Sequence, residues 1–151
     1  AGDRKIWRRM PLRVYTAQLP NPRARIRGYS GPDSFNVTRR GGGSAGSPFA
    51  PSDALLDEAN KRKRKAYGNE EALRSMWFWY LPRFIEEMRR SYRDNHAAWR
   101  ALASRAGEVT LCCYCATAHR CHRRVLAEML VAVGKKLGIE IIDCGERPPS
   151  V

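Results

Sequence analysis

The amino-acid sequence predicts an α/β sandwich with a mainly parallel sheet. Segments rich in β-branched and apolar residues alternate with segments of helical periodicity. Residues 108–144 read as a strand, a helix and a strand in succession, which is the pattern of a β-α-β unit. We expect one domain at residues 12–146, a basic arm at residues 1–11 and a loose tail at residues 147–151.

Two strands are predicted in the first third of the chain. Residues 12–19 have the β-branched and aromatic content of a strand, and Pro20 and Pro22 end it. Residues 35–39 form a second short strand. A segment rich in Gly, Ser and Pro follows up to Ser52 and is expected to be a strand-to-helix loop.

Helices are predicted for most of the middle of the chain. Ser52 is expected to cap a helix that ends in the basic run 61–65. Asn69 can cap the next helix, at residues 70–92, whose apolar residues recur every three or four positions. Pro82 should kink or split that helix. Asn95 can cap a further short helix.

The last β-α-β unit begins with a compact apolar run at residues 108–115, which indicates a buried parallel strand. A helix over residues 121–137 should stop at Gly138, and residues 139–144 form the last strand.

Charge and composition favour a soluble, cytoplasmic protein with an anionic partner. The net charge is +13, and residues 1–65 hold 15 Lys/Arg against 5 Asp/Glu. A nucleotide, nucleic acid or acidic partner would suit this half. No apolar run approaches the roughly 18 residues that span a bilayer, so no membrane partner is expected. The sequence leaves the oligomeric state open.

Thiols and imidazoles are concentrated in one short stretch, which holds Cys112, Cys113, Cys115, His119, Cys121 and His122. The cluster allows two functional interpretations, beside the alternative that Cys112 and Cys113 are only small buried residues of the strand. Four nitrogen and sulfur ligands could hold zinc, although the strand would point Cys112 away from its neighbours. Alternatively, a strand end and a helix start form a ligand pocket, where thiols become nucleophiles. In that pocket Cys115 and Cys121 are candidate nucleophiles and His122 the base, while Arg123 and Arg124 bind an anion.

A glycine loop follows the second predicted strand. Residues 41–46 fit the pattern G-x-G-x-x-G, but two prolines separate them from the helix, so the dinucleotide signal is weak. The loop is interpreted as an anion-binding nest or a mobile lid over the cysteine site. Its candidate ligand-binding residues are Arg39, Arg40, Gly42, Gly43 and Ser44.

Several stretches resemble a protein family that is known as domain of unknown function four-eight-eight. They include Val14-Tyr15-Thr16, Asn36-Val37-Thr38-Arg39, Phe49-Ala50-Pro51-Ser52, and the strand cysteine followed by Cys121-His122-Arg123. The resemblance spans about residues 12–146 and implies a Rossmann-like three-layer α/β domain, without implying a reaction. It adds Tyr15 and Thr38 to the candidate ligand-binding residues. The chain departs from the family in Cys112, Cys113, the triple glycine and the basic run 61–65.

Three functional hypotheses follow. The first is a protein that binds a nucleotide or another phosphorylated ligand and modifies or hydrolyses it at the Cys/His site. The second is a nucleic-acid-binding module that uses the basic N-terminal half. The third is a zinc-stabilised interaction domain. No particular cofactor is indicated.

Overall fold

A computed structural model describes residues 10–117 and 120–150. Apart from Met10 and Pro11, the predicted basic arm lies outside the described residues, and so does His119. The sheet has four strands in the order β2-β3-β1-β4, and all their pairings are parallel. The strands are β1 (Leu12–Gln18), β2 (Ser34–Asn36), β3 (Glu108–Cys113) and β4 (Ile141–Glu146). The predicted α/β class with a parallel sheet is confirmed.

Five α-helices accompany the sheet in the described part of the chain. They are α1 (Gly43–Gly46), α2 (Asp53–Lys65), α3 (Glu70–Asp94), α4 (His96–Ala103) and α5 (His122–Leu137). Helix α5 packs on β1, β3 and β4, and α3 and α4 pack on α5. No described helix has the length and apolar character needed to cross a bilayer.

Local signals set most helix boundaries where they were expected. The Ser52 hydroxyl accepts from the backbone N–H of Leu55, and the Asn69 side chain accepts from Ala72. Gly138 ends α5 with a φ of 70°. Asn95 differs from the prediction, because its side chain does not cap α4 but donates to the Ser91 hydroxyl of α3.

Pro82 lies inside α3, and the helix continues through it. The prediction of a split is therefore wrong. Proline removes the hydrogen bond to the carbonyl of the residue four positions earlier, here Phe78. Both residues are exposed, so water can satisfy that carbonyl.

The core lies between the sheet and the helices. Val14 of β1 and Leu111 of β3 are fully buried, as are Leu130 of α5 and Phe84 of α3. The long apolar stripe of α3 therefore packs in the core, as its helical periodicity indicated. This packing holds the end of β3 and the start of α5 against α2 and α3.

The segment between β2 and α2 is more ordered than the predicted plain loop, since it contains α1 and a 3-10 turn at Ser47–Phe49. Gly46 of α1 is buried against β2, and a Cβ there would lie 2.0 Å from the carbonyl oxygen of Asn36.

Replacing Gly46 with Ala should therefore lower the free energy of unfolding by about 1–3 kcal/mol, the usual cost of overpacking. Urea denaturation measures this. The neighbouring Ser44→Ala is the matched control and should change stability by less than about 0.5 kcal/mol, because Ser44 is exposed. Equal stability of the two variants would contradict the close packing of α1 on β2.

Residues 147–150, predicted as a loose tail, make defined contacts. The Arg147 guanidinium donates to Thr110 Oγ1 at 3.0 Å and to Glu108 at 2.7 Å, and it stacks on the Tyr15 ring at 3.6 Å. The Ser150 N–H donates to the carbonyl of Gly28 at 2.8 Å. The tail thus packs over the side of the sheet that carries Tyr15 and Thr110.

Candidate functional site

A cavity of about 340 Å³ opens at the carboxyl ends of β2 and β3. Its walls come from the segment after β2, from α2 and α3, and from the connection between β3 and α5. The lining residues are Thr38, Arg39, Arg40, Gly41, Pro51, Leu56, Ala59, Asn60, Lys63, Met76, Trp77, Tyr80, Cys113, Tyr114, Cys115, Arg120, Cys121 and His122. Parallel α/β sheets bind ligands at this edge, so the cavity is the candidate site.

Three cysteines meet at the base of the cavity and form what we call the thiol cluster: Cys113, Cys115 and Cys121. The sulfurs of Cys113 and Cys121 are 2.6 Å apart, and both residues are buried. Cys115 is half-buried, and its sulfur lies 3.9 Å from the Lys63 ammonium. Cys115 is therefore the most accessible of the three to a ligand in the cavity.

Arg123, the second residue of α5, contacts the thiol cluster from the protein interior. Its side chain is fully buried. The Nη1 group donates to the Cys113 sulfur at 3.2 Å, the Cys121 sulfur at 3.3 Å and the carbonyl of Cys115 at 2.8 Å. Nε and Nη2 donate to the two carboxylate oxygens of Glu146 at 3.1 and 2.6 Å. One guanidinium thus links β3, α5 and the end of β4.

The Arg123–Glu146 pair remains ionised. Burial alone would raise the pKa of Glu146, but hydrogen bonds from Arg123 and Thr16 keep it below its ordinary value. Burial alone would lower the pKa of Arg123, but its hydrogen bonds to Glu146 raise that pKa above the ordinary value. A permanent positive charge therefore lies beside the thiol cluster.

The thiol cluster has unequal acidities. Hydrogen bonds with Cys113 and Cys121, together with the Lys63 ammonium, lower the pKa of Cys115 far below that of an ordinary thiol. The hydrogen bond with Cys115 raises the pKa of Cys113 to about 11. Burial, together with hydrogen bonding to Cys113 and Cys115, raises the pKa of Cys121. These directions favour the thiolate form at Cys115 and the protonated form at its two neighbours.

His122 lies next to the cluster in its neutral form, because burial lowers its pKa. Its Nε2 is 3.2 Å from the carbonyl oxygen of Val37, which can only accept, so Nε2 carries the proton. Nδ1 is then unprotonated and accepts from the Cys121 thiol, whose sulfur is 4.0 Å away. His122 is thus oriented as a base.

The described residues that line the cavity include four cations and no Asp or Glu. Lys63 Nζ lies 3.9 Å from the Cys115 sulfur. Arg40 forms an exposed pair with Asp57, and Arg120 forms an ion pair with Glu70. Arg39 is engaged by its own loop, donating to the carbonyl of Pro51 and to the Ser47 hydroxyl. The cavity therefore attracts anions chiefly through Lys63, which forms no ion pair among the described residues, whereas carboxylates already pair with Arg40 and Arg120.

An apolar wall faces these cations. Met76, Trp77 and Tyr80 of α3 line it, and the rings of Trp77 and Tyr80 stack with centroids 5.6 Å apart. A ligand with a planar apolar part and an anionic part would match both sides of the cavity.

Donor atoms suitable for a soft metal also occur here. Among the described residues, Cys113, Cys121 and His122 have ligand atoms within 4.8 Å of one another. The Arg123 guanidinium already donates to both sulfurs, so its N–H groups use sulfur lone pairs that a metal would need. This arrangement favours a thiol centre over the zinc interpretation.

The structure brings together six of the residues singled out from sequence. Thr38, Arg39, Arg40, Cys115, Cys121 and His122 all line the cavity. Arg123 contacts it from behind, through the two sulfurs.

Other candidate ligand-binding residues lie elsewhere. Tyr15 packs under Arg147, and Arg124 donates to Asp143 and Thr16. Ser44 borders a separate hollow beside α3, and Gly42 and Gly43 do not line the cavity. The glycine loop was expected to offer its backbone N–H groups to an anion. The N–H groups of residues 41 and 42 instead donate to Thr38.

Three site residues were missed from sequence, namely Cys113, Lys63 and Glu146. Two of them carry a signal that could have found them. Cys113 is two positions from Cys115 and so projects to the same side of an extended chain. Lys63 follows Leu56 and Ala59 at helical spacing, on the face of α2 that lines the cavity.

No curated protein and no solved structure matches the chain at a significant level. A family model named DUF488-N3a, described as the active DUF488-N3 subclade, matches residues 46–134. The matched region covers more than half of the chain and includes α2, α3 and the whole thiol cluster. The chain therefore belongs to the DUF488 family.

Proposed function

We propose that the protein binds a nucleotide or another phosphorylated small molecule in this cavity and modifies or hydrolyses it through Cys115. The observation that carries the proposal is the position of Cys115. It is the half-exposed thiol of the thiol cluster, 3.9 Å from the Lys63 ammonium, in a cavity whose described lining has cations and no carboxylate. These surroundings favour both a thiolate and an anionic ligand.

Cys115 and His122 carry the proposed reaction. The thiolate attacks an electrophilic centre of the ligand, so that a bond from sulfur forms and the leaving group departs with its electron pair. Water then attacks the same centre, releases the product and restores the thiolate. Nδ1 of His122 is the unprotonated ring nitrogen beside the cluster and would accept the proton of that water in place of its hydrogen bond from the Cys121 thiol.

The ligand proposal is tested by calorimetric binding of adenosine monophosphate, pyrophosphate and uncharged adenosine. We expect the two phosphate compounds to bind better than adenosine. Lys63→Gln should weaken adenosine monophosphate binding about tenfold or more, because it removes a charged partner of the phosphate. The matched control is Lys61→Gln, an exposed lysine of the same helix that does not line the cavity.

Two results would contradict this proposal. One is equal binding by the two lysine variants, and the other is adenosine binding as tight as that of its monophosphate. The nucleic-acid alternative predicts binding to a polynucleotide that weakens steeply with salt and does not depend on Lys63. The structure favours it less, because Lys63 faces the cavity and Arg62 stacks on Trp79.

A further inference from the structure

Two of the three cluster thiols have no direct part in the proposed reaction. Cys113 and Cys121 are each 1% exposed, yet their sulfurs are only 2.6 Å apart. A disulfide has a sulfur separation of about 2.05 Å, so a small side-chain shift would bring the two sulfurs to bonding distance.

We infer that the thiol cluster is also a two-electron redox site, which a hydroperoxide oxidises at Cys115 and which ends as a Cys113–Cys121 disulfide. The inference rests on three features of the cluster. Cys115 is the thiol that a small oxidant in the cavity can reach. Its carbonyl accepts from Nη1 of Arg123, the group that also donates to the two buried sulfurs. Those thiols are in contact with each other and share one donor, Nη1 of Arg123.

The oxidation starts at Cys115. Its thiolate attacks the terminal oxygen of the hydroperoxide, a sulfur–oxygen bond forms, and the oxygen–oxygen bond breaks. The alkoxide takes a proton from solvent and leaves as the alcohol, or as water when the oxidant is hydrogen peroxide. Cys115 is then a sulfenic acid.

Two thiol exchanges complete the sequence. The Cys121 thiol attacks the sulfur of Cys115, a disulfide forms, and the hydroxyl leaves as water with the thiol proton. Cys113 then attacks the Cys121 sulfur, releases its proton to solvent and displaces Cys115 as a thiolate. The balance is one hydroperoxide and two thiols converted to one alcohol, one water and one disulfide. Cys115 is the preferred leaving group, because the more acidic thiol leaves faster.

Oxidation has a consequence for the nucleophile, which rests on the function proposed above. The disulfide removes the two S–H donors that stabilise the Cys115 thiolate. Cys115 would therefore remain present but become less reactive at neutral pH. The thiol cluster would then lower its own activity under peroxide.

The test needs no ligand, so its outcome is independent of nucleotide binding. Reduced protein is treated with one equivalent of hydrogen peroxide and measured by intact mass spectrometry. We expect the loss of two hydrogens, reversed by dithiothreitol. Chymotryptic cleavage after Tyr114 separates Cys113 from Cys115, and tryptic cleavage after Arg120 separates both from Cys121, so the peptides identify the pair.

Three variants examine the route. Cys115→Ser should slow disulfide formation about tenfold or more, because the buried thiols lose their accessible relay. Cys121→Ser should leave a sulfenic acid on Cys115 that dimedone traps. Cys144→Ser, at the exposed cysteine of β4, is the control and should behave as wild type.

Several outcomes would overturn the inference. They are a final disulfide that contains Cys115 or Cys144, no oxidation that dithiothreitol reverses, and equal oxidation rates for Cys115→Ser and wild type. A native mass with one zinc per chain that peroxide does not release would overturn it as well, and would favour the metal interpretation.

Discussion

Arg123→Met is expected to lower the free energy of unfolding by about 3 kcal/mol, the low end of the cost of breaking a buried ion pair. Methionine fills the path of the aliphatic stem but leaves Glu146 without its bidentate partner. The two sulfurs and the carbonyl of Cys115 also lose their common donor. The low end applies because about a third of the Glu146 side chain is exposed and can regain water. Urea denaturation at neutral pH measures the loss.

Arg124→Met provides a matched control at the next position. Arg124 pairs with Asp143 at 2.6 Å, but both side chains are about one-quarter exposed. Its replacement should cost no more than about 1 kcal/mol. If the two variants lost equal free energy of unfolding, the burial of Arg123 would not strengthen its ion pair, and the expectation would be wrong.

The Arg123 contribution should also depend on pH. The pKa of Glu146 is lowered in the folded protein, so the pair stabilises the fold fully above the ordinary pKa of glutamate, about 4.3. The contribution is lost as the pH falls through the lowered value, where the folded carboxylate takes up a proton. The stability difference between wild type and Glu146→Gln should accordingly shrink in acid. A difference that persists unchanged at low pH would contradict this assignment.

Much of the fold follows from local pattern. β-Branched and aromatic content located β1, and a compact apolar run located β3. Ser52, Asn69 and Gly138 marked helix boundaries. Pro82 is the instructive exception, because its effect depends on whether the freed carbonyl meets water, and that is a property of the packed helix.

The candidate site is predictable only in part, for a similar reason. Cys115, Cys121 and His122 are close in sequence, so the strand-to-helix connection brings them together. The distant partners Lys63 and Glu146 reach the site through the packing of α2 and the pairing of β4 with β1. In the glycine loop the amides of Gly41, Gly42 and Gly46 donate within the loop, a pairing that composition alone does not predict.

Cys115→Ser should remove the fast alkylation of the protein by iodoacetamide, lowering that rate at pH 6 by about a hundredfold or more. An ordinary thiol of pKa about 8.5 loses reactivity tenfold with each pH unit below that value, because only the thiolate attacks. The lowered pKa of Cys115 keeps the thiolate present throughout this range. Wild type should therefore show a nearly flat rate between about pH 6 and pH 9, whereas a free cysteine derivative shows a steep one.

The anionic reagent iodoacetate tests whether the reactive thiol lies in this cavity. Lys63 and the neighbouring arginines should favour iodoacetate over iodoacetamide at Cys115, and Lys63→Gln should reduce that preference. Cys144→Ser controls for the exposed cysteine and should retain both the rate and the flat profile. A wild-type rate that climbs tenfold per pH unit up to about 8.5 would show that Cys115 is an ordinary thiol. The proposed nucleophile would then lose its physical basis, since the thiol donors and the cation beside Cys115 would not be stabilising its charge.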